Sequence, residues 1–232
     1  MRFDHGKFFT AYKQQFGSIS AQSKVDGIES LLTQLEGDSD VNDERWAAYM
    51  FATVKHECAD TWQPIEEYGK GAGHSYGNPK TVTGSDGQTY TNKYYGRGYV
   101  QLTWDYNYKN LSTALGLGDE LYIHPEQVLD PDIAYKVMSY GMRNGTFTGK
   151  KLATYINASG CDYRNARKII NALDQADKIK GYAEKLETCF TSSRVTEDAT
   201  ATGDSGTSED AAATMGAGVA GGATGGAMGD GA

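Results

Sequence analysis

The chain has 232 residues, of which 39% are hydrophobic and 11% aromatic, enough apolar material for one sizeable core. Lys and Arg number 22 against 30 Asp and Glu, and six of the acids lie from Val195 onward, where there is no Lys or Arg. Residues 1–194 therefore hold 22 basic and 24 acidic residues, a net −2, which excludes the basic surface typical of nucleic-acid-binding proteins.

Three amphipathic helices are predicted in the N-terminal quarter, because apolar side chains recur there at three- and four-residue spacing. Gly17 can end the first helix, and Ser20 is the predicted N-cap of the second. Either Asn42 or Asp43 can cap the third. This third helix then carries Glu57 in its last turn.

The pattern changes between residues 69 and 104, where glycines interrupt any long helix. Thr81-Val82-Thr83 and Thr89-Tyr90-Thr91 flank a Gly-Ser-Asp-Gly turn, which predicts a small β-hairpin. Helical spacing returns in four further segments, 131–144, 152–156, 166–173 and 179–186. We therefore expect residues 1–194 to form one mainly α-helical domain.

The segment 195–232 has a different composition. Ten Gly and ten Ala occupy 20 of its 38 positions, and it contains no aromatic residue. Such a segment buries too little apolar surface to offset its chain entropy. We expect an acidic, Gly/Ala-rich, disordered C-terminal tail.

Cysteine content and the N-terminus bear on the cellular compartment. Cys58, Cys161 and Cys189 cannot all pair, and their spacing does not resemble a zinc site, so we expect a reducing site of synthesis. The N-terminal residues contain no apolar signal-peptide region, and there is no apolar run of 18 residues, so we expect no signal peptide and no membrane insertion. A target outside the cytoplasm would then require another component for delivery.

Glu57 is the first candidate for catalysis. His56-Glu57 might suggest a zinc-protease helix, but position 60 holds Asp60 where that motif needs its second His. Glu57 lies at the edge of an apolar stripe, and at the helix C-terminus it meets the negative end of the helix dipole. Both effects disfavour the anion, so we expect a carboxyl group that retains its proton for donation to a glycosidic oxygen.

Glycoside hydrolysis generally needs a second carboxylate, and the segment after this helix supplies two candidates. Glu66 and Glu67 follow Trp62-Gln63-Pro64-Ile65. If the chain turns back over a cleft, one of them can face Glu57 and orient the attacking water. A solvated acidic turn is the alternative interpretation.

Residues 94–108 combine aromatic, amide and hydroxyl side chains, which suit sugar rings and their hydroxyl groups. By composition a Tyr-rich core strand is almost as good an interpretation. The pattern Tyr-Tyr-Gly-Arg-Gly-x-x-Gln-Leu-Thr-Trp-x-Tyr-Asn-Tyr, however, resembles the signature of family 19 glycoside hydrolases, the group of plant-type chitinases and many phage endolysins. His56-Glu57 resembles that family's His-Glu-Thr element, and the segment 165–174 resembles its C-terminal Ile-Asn-Gly region.

The resemblance spans roughly residues 8–190 and implies a two-lobed, lysozyme-like fold with a small β-hairpin lobe. It implies an inverting mechanism with Glu57 as the general acid and Glu67, five residues after the aromatic Trp62, as the second acid. Glu66 stays open as the alternative or as a substrate-binding residue. Thr103 would help to place the nucleophilic water, and no metal or cofactor is implied. The expected substrate-binding residues are Tyr95, Gln101, Tyr106, Asn107 and Asn171.

The chain departs from the family pattern at several positions. Cys58 replaces the usual Thr, Tyr99 replaces a common Pro, and Ala172 replaces the Gly after Asn171. These changes bear on rate and cleft shape more than on the reaction. For Arg97 we favour a structural anchor, paired with a buried carboxylate, over substrate contact.

The function expected from these features is peptidoglycan hydrolysis at β-1,4 bonds between N-acetylated sugars. A phage or prophage enzyme fits best: a monomer made in the host cytoplasm that acts at the bacterial wall, released with the help of a holin or carried in the virion. A chitinase of the same family is the first alternative. A non-catalytic, wall-binding or structural virion protein is the second, but it would be expected to lose at least one residue of the predicted site.

Overall fold

The computed structural model describes residues 1–196, and residues Met1–Thr196 form one compact unit. The predicted disordered tail at 195–232 lies outside the described residues except for its first two positions. Val195 still belongs to the domain, because its backbone N–H donates to the Arg2 carbonyl at 3.0 Å. Within residues 1–196, no helix is both long and apolar enough to cross a membrane.

The first two helices begin and end close to their predicted limits. Helix α1 spans His5–Phe16, capped by the Asp4 side chain and ended at Gly17, whose φ of 87° suits glycine. Helix α2 spans Gln22–Gly37. The prediction of Ser20 as its N-cap was wrong, because the helix begins after Ala21 and no side chain caps it.

Helix α3, Glu44–Glu57, is the central element of the domain. The Asp43 side chain accepts from the Arg45 backbone N–H, so the second of the two predicted caps is used. All nine residues from Ala47 to Lys55 are buried, which requires covering elements on every side. The helix places Glu57 at its C-terminal end, as predicted.

Within the described residues, three small antiparallel two-stranded sheets complete the helical framework. Strands β2 and β3 form the predicted hairpin. The other two pairs are strands of only two residues that the sequence did not predict. In chain order the strands are β1 (Ile65–Glu66), β2 (Lys80–Thr83), β3 (Thr89–Asn92), β4 (Arg97–Gly98), β5 (Ile156–Asn157) and β6 (Gly160–Cys161), with β1 paired to β4 and β5 to β6.

The C-terminal half is again helical. The predicted helix at 131–144 is confirmed as α6, which begins with Pro131 and ends before Gly145 in the left-handed conformation. The remaining helices are α4 (Asp105–Ala114), α5 (Glu120–Ile123), α7 (Leu152–Tyr155), α8 (Tyr163–Ala166) and α9 (Ala176–Ser193), with 3-10 turns at Pro125–Leu129 and Arg167–Ile169.

The predicted helix at 166–173 was wrong in extent. The chain instead passes from α8 into the 3-10 turn, because the buried Arg167 side chain bonds the Asp174 carbonyl at 3.0 Å and folds the segment back on itself. Helix α9 then packs along both α1 and α3. Phe190 of α9 lies 5.0 Å, between ring centroids, from Phe8 and from Phe51, so aromatic packing joins these three helices.

Candidate active site

The pairing of β1 with β4 separates the two adjacent acids at 66 and 67. Glu66 lies opposite Arg97 in this register, and the backbone N–H of Glu67 donates to the Gly96 carbonyl at 2.7 Å. Because successive side chains of an extended chain point to opposite faces, Glu66 and Glu67 enter different environments. Only one of them can face Glu57.

Glu66 belongs to a structural cluster outside the cleft. Its carboxylate accepts from Tyr95 Oη at 2.6 Å, lies 2.8 Å from Lys70 Nζ and 3.6 Å from Arg97 Nε. The hydrogen bond from Lys70, followed by that from Tyr95, lowers the pKa of Glu66. Neither Glu66 nor Tyr95 lines the cleft, so the geometry does not bring these two predicted substrate-binding residues to the site.

Arg97 has the anchoring position expected of it. The side chain is buried, its guanidinium stacks 3.7 Å above the Tyr95 ring centroid, and Nη1 donates to the Lys93 carbonyl and to Tyr108 Oη. Together with the nearby Glu66, Arg97 connects residues of the motif segment outside the cleft.

Glu67 faces the cleft and is held there by two donors. Tyr76 Oη donates to one carboxylate oxygen at 3.0 Å, and the Gly96 backbone N–H donates to the other at 3.0 Å. Burial, followed by the bond to Glu67, raises the pKa of Tyr76, which keeps it a donor. A Cβ at Gly96 would lie 2.8 Å from Gln101 Oε1, so a larger residue here would displace the Gln101 side chain.

Glu57 lies at the end of α3 with its side chain 16% exposed, next to a cation that the sequence did not predict. Arg167 Nη1 donates to Glu57 Oε1 at 2.5 Å, and the Arg167 side chain is only 3% exposed. Burial lowers the pKa of the neighbouring His56, so that imidazole is neutral near pH 7. Arg167 is therefore a buried cation in direct contact with the predicted general acid.

A cleft of about 440 Å³ contains most of the predicted site. Seven predicted residues line it: Glu57, Glu67, Gln101, Thr103, Tyr106, Asn107 and Asn171. Four further residues line the cleft and were not predicted as site residues: Tyr76, Trp104, Phe147 and Ile170. Trp104 belongs to the 94–108 motif, and Arg167 belongs to the segment 165–174 that resembles the family, but neither was predicted to have a role.

One wall of this cleft is aromatic. Trp104 and Tyr106 are 38% and 53% exposed, and their rings stack with centroids 6.1 Å apart and planes 19° apart. Tyr76 meets Trp104 edge to face at 5.5 Å. Flat exposed rings beside amide side chains are typical of sugar-binding surfaces.

Gln101 and Asn107 are fixed by bonds to the backbone. Gln101 has a positive φ of 53°, and its Nε2 donates to the Ile65 carbonyl at 3.1 Å and the Gly98 carbonyl at 3.3 Å. Asn107 Nδ2 donates to the Thr103 carbonyl at 2.9 Å. These bonds orient the amide groups before any substrate arrives, which favours binding.

The arrangement supplies two carboxylates around one cleft, the pair that hydrolysis of a glycosidic bond uses. Within the described part of the chain, no group of three or more His, Cys, Asp or Glu side chains could hold a metal ion. Fold and site together define a carbohydrate-cleaving class of protein.

Comparison with known families gives the more specific assignment. The family 19 glycoside hydrolase model, described as "Chitinase class I", matches residues 9–144. The match covers more than half of the chain, so the protein belongs to family 19 of the glycoside hydrolases. No curated protein sequence matches the chain significantly.

Comparison with solved structures supports the fold through a bacterial chitinase, and two further chitinases are similar at lower scores. A bacterial family 19 chitinase is 22% identical with a TM-score of 0.51, over 81% of this chain and 94% of its own. Chitinase C from Streptomyces griseus HUT6037 is 20% identical with a TM-score of 0.47, over 82% and 91%. The class IV chitinase from Zea mays is 19% identical with a TM-score of 0.44, over 78% and 90%. The predicted mainly α, lysozyme-like fold is confirmed.

Proposed function

We propose that the protein is a peptidoglycan hydrolase that cleaves β-1,4 bonds between N-acetylated amino sugars. The observation that carries this proposal is the single cleft that contains both Glu57 and Glu67, beside the aromatic pair Trp104 and Tyr106. Both acids line the same cleft as the rings on which a sugar would stack.

Glu57 is the proposed general acid and Glu67 the general base. Glu57 gives its proton to the leaving glycosidic oxygen while a water attacks the anomeric carbon from the opposite face. Glu67, oriented by Tyr76 and the Gly96 N–H, takes the proton of that water. Thr103 and Asn107 help to hold the water and the substrate. The anomeric configuration is inverted, which calls for carboxyl groups roughly 6.5–9.5 Å apart in the substrate complex.

Peptidoglycan is favoured over chitin by the thiol chemistry. Cys58, Cys161 and Cys189 are all free, whereas plant-type chitinases of this family are usually secreted and disulfide-bonded. We propose a phage or prophage enzyme made in the host cytoplasm, acting as a monomer at the bacterial wall. Either a holin-type membrane-permeabilising partner or the virion would deliver it.

Chitin hydrolysis is the second candidate. It is favoured by the description of the matching family model and by the chitinases among the similar structures. Both candidates use the same two acids and differ in the substrate. The products of digestion therefore distinguish peptidoglycan hydrolysis from chitin hydrolysis.

The test is digestion of purified peptidoglycan and of N-acetylglucosamine oligomers, followed by mass spectrometry and by NMR of the new anomeric centre. We expect muropeptides with new reducing sugars of inverted configuration, and loss of at least about 1000-fold in rate for Glu57→Gln. Glu126→Gln, an exposed change of the same type, is the matched control. Cleavage of the oligomers with none of peptidoglycan would favour the chitinase, and amide- or peptide-bond products would contradict both candidates.

A further inference from the structure

Residues 145–175, the segment between α6 and α9, form a wall of the cleft and contribute Phe147, Ile170 and Asn171 to its lining. The basic side chains of this segment lie outside that lining. This segment has five basic and two acidic residues, although residues 1–194 as a whole are slightly acidic. The positive charge is thus concentrated beside the site.

Hydrogen bonds bring two of these lysines to the same part of the wall. Thr148 Oγ1 donates to the Lys168 carbonyl at 2.6 Å and also approaches the Ile169 carbonyl at 3.1 Å. The Lys150 backbone N–H donates to Thr148 Oγ1 at 3.4 Å. The backbone of Lys150 therefore lies next to that of Lys168, close in the chain to the cleft residues Phe147 and Ile170.

The five cations of this wall divide into two groups. Arg167 is committed to Glu57, and Arg164 pairs with Asp177 at 3.0 Å. Among residues 1–196, no carboxylate oxygen lies within 4.0 Å of the ammonium group of Lys150, Lys151 or Lys168. Lys150 and Lys151 are exposed, whereas Lys168 is half-buried and has Asp162 as an acidic neighbour beyond that distance.

A cleft with one aromatic wall and one cationic wall suits a glycan that carries anionic branches. The rings of Trp104 and Tyr106 can stack against sugars of any charge. A neutral N-acetylglucosamine polymer has no group for the lysines to bind. The peptide stems of peptidoglycan, by contrast, carry free carboxylates along the whole strand.

We propose that Lys150 and Lys168, with Lys151 beside them, bind the stem-peptide carboxylates of peptidoglycan. This inference rests on the proposed function and makes this wall the element that distinguishes peptidoglycan from chitin. Solvent-exposed charge pairs are weak individually and are screened by salt. The preference should therefore be modest for each stem and should weaken as ionic strength rises.

The experiment compares peptidoglycan with the same material after its carboxylates have been converted to amides, which leaves the glycan and stems in place without their charge. The Lys150→Gln/Lys168→Gln protein is measured against wild type. Lys13→Gln/Lys136→Gln, which removes two exposed lysines from α1 and α6, is the control for net charge. The readout is the ratio of kcat/KM on untreated peptidoglycan to kcat/KM on amidated peptidoglycan, at low and at high salt.

We expect the wild-type ratio to exceed one at low salt, to fall by about 3- to 10-fold in the Lys150/Lys168 variant, and to stay unchanged in the control. Activity of the variant on the amidated substrate shows that the protein has folded. An equal ratio in wild type and variant would overturn the inference while leaving peptidoglycan hydrolysis intact. A wild-type protein that cleaves only N-acetylglucosamine oligomers would overturn the proposed function and this inference together.

Discussion

The Arg167 guanidinium donates a hydrogen bond to the Glu57 carboxyl group at 2.5 Å. Arg167 also donates to the Asp174 carbonyl, so its planar fork joins the end of α3 to the segment before α9. A guanidinium can make both bonds at fixed angles, whereas an ammonium is a single point charge. Arg167 therefore fixes where the proposed acid lies.

Replacing Arg167 with lysine should separate charge from geometry. The charge is kept, but the bonds to Glu57 and Asp174 cannot both form with the same geometry. We expect kcat to fall about 10- to 100-fold and the free energy of unfolding to fall by about 1–3 kcal/mol. Steady-state kinetics and thermal unfolding measure the two effects.

Arg164→Lys is the matched control for this substitution. Arg164 pairs with Asp177 on the surface, and both side chains are about half exposed or more. The same change there should alter unfolding by less than about 0.5 kcal/mol and leave kcat within about twofold. An Arg167→Lys protein with normal kcat would show that the acid is positioned without this pair.

At the scale of elements, the turn that leaves α3 determines where the second acid lies. Ala59, Asp60 and Trp62 all have positive φ, an uncommon conformation for residues other than glycine. The Asp60 carboxylate holds the turn, because it accepts from Lys55 at 2.5 Å, Lys24 at 2.8 Å and Trp62 Nε1 at 3.1 Å. Lys55 itself is buried, with its ammonium 4.7 Å from the Phe16 ring centroid.

This turn predicts a pH dependence of stability. Burial alone would raise the pKa of Asp60, but the hydrogen bonds from Lys24 and Lys55 outweigh it and lower the pKa. A carboxyl group whose pKa is lower in the folded state stabilises the fold above its ordinary value near pH 4. That contribution is lost as the pH falls through the lowered pKa. The Asp60 side chain is 43% exposed, so solvent screens part of this interaction. Asp60→Asn should therefore cost about 1–2 kcal/mol at pH 7, where it leaves the buried Lys55 without its counter-ion.

Chemical denaturation between pH 7 and pH 2 measures this difference. The wild-type and Asp60→Asn proteins should converge in stability at the acid end, because protonated Asp60 no longer compensates Lys55. Asp177→Asn, a change of the same type at a 77% exposed carboxylate, should give a small difference at every pH. A difference between wild type and Asp60→Asn that does not change with pH would contradict the electrostatic explanation.

The helices show which parts of the fold the sequence could predict. The Pro131–Gly145 limits of α6 follow from local end signals and were predicted correctly. Helix α3 was predicted to be amphipathic, but it is buried on every side from Ala47 to Lys55, because the surrounding helices cover it. The start of α2 was also predicted wrongly, and the helix predicted at 166–173 was replaced by a 3-10 turn that depends on the Arg167 contact with Asp174. The Arg167 side chain reaches across 110 residues to Glu57, and no local pattern encodes such a contact.

Across the whole molecule, the cleft is assembled from three distant segments. The end of α3 supplies Glu57, the region from β1 to α4 supplies Glu67 and the aromatic wall, and residues 145–175 supply the cationic wall. The predicted site residues were found because a long motif resembled a known family. Tyr76 and Arg167 lie outside that motif, and they were recognised only from their contacts with Glu67 and Glu57.

The contribution of the C-terminal tail to activity and stability can be tested by truncation. Residues 1–196 form a compact unit, in which Val195 bonds to Arg2 and Arg194 pairs with Phe3 through backbone contacts. A truncation should therefore end at Thr196 and not at Arg194. All six acids of the segment are removed, so the net charge rises from −8 to −2.

We expect this truncated protein to keep its kcat and its unfolding midpoint, because a Gly- and Ala-rich segment without aromatic residues has little apolar surface to bury against the domain. Loss of acidic charge should raise kcat/KM on peptidoglycan at low salt, because the substrate is anionic and repels the tail. High salt should remove this difference in kcat/KM. A matched protein in which the six acids become amides, Glu to Gln and Asp to Asn, should behave like the truncated one. If it behaves like wild type while the truncated protein differs, the tail acts through its bulk and not its charge.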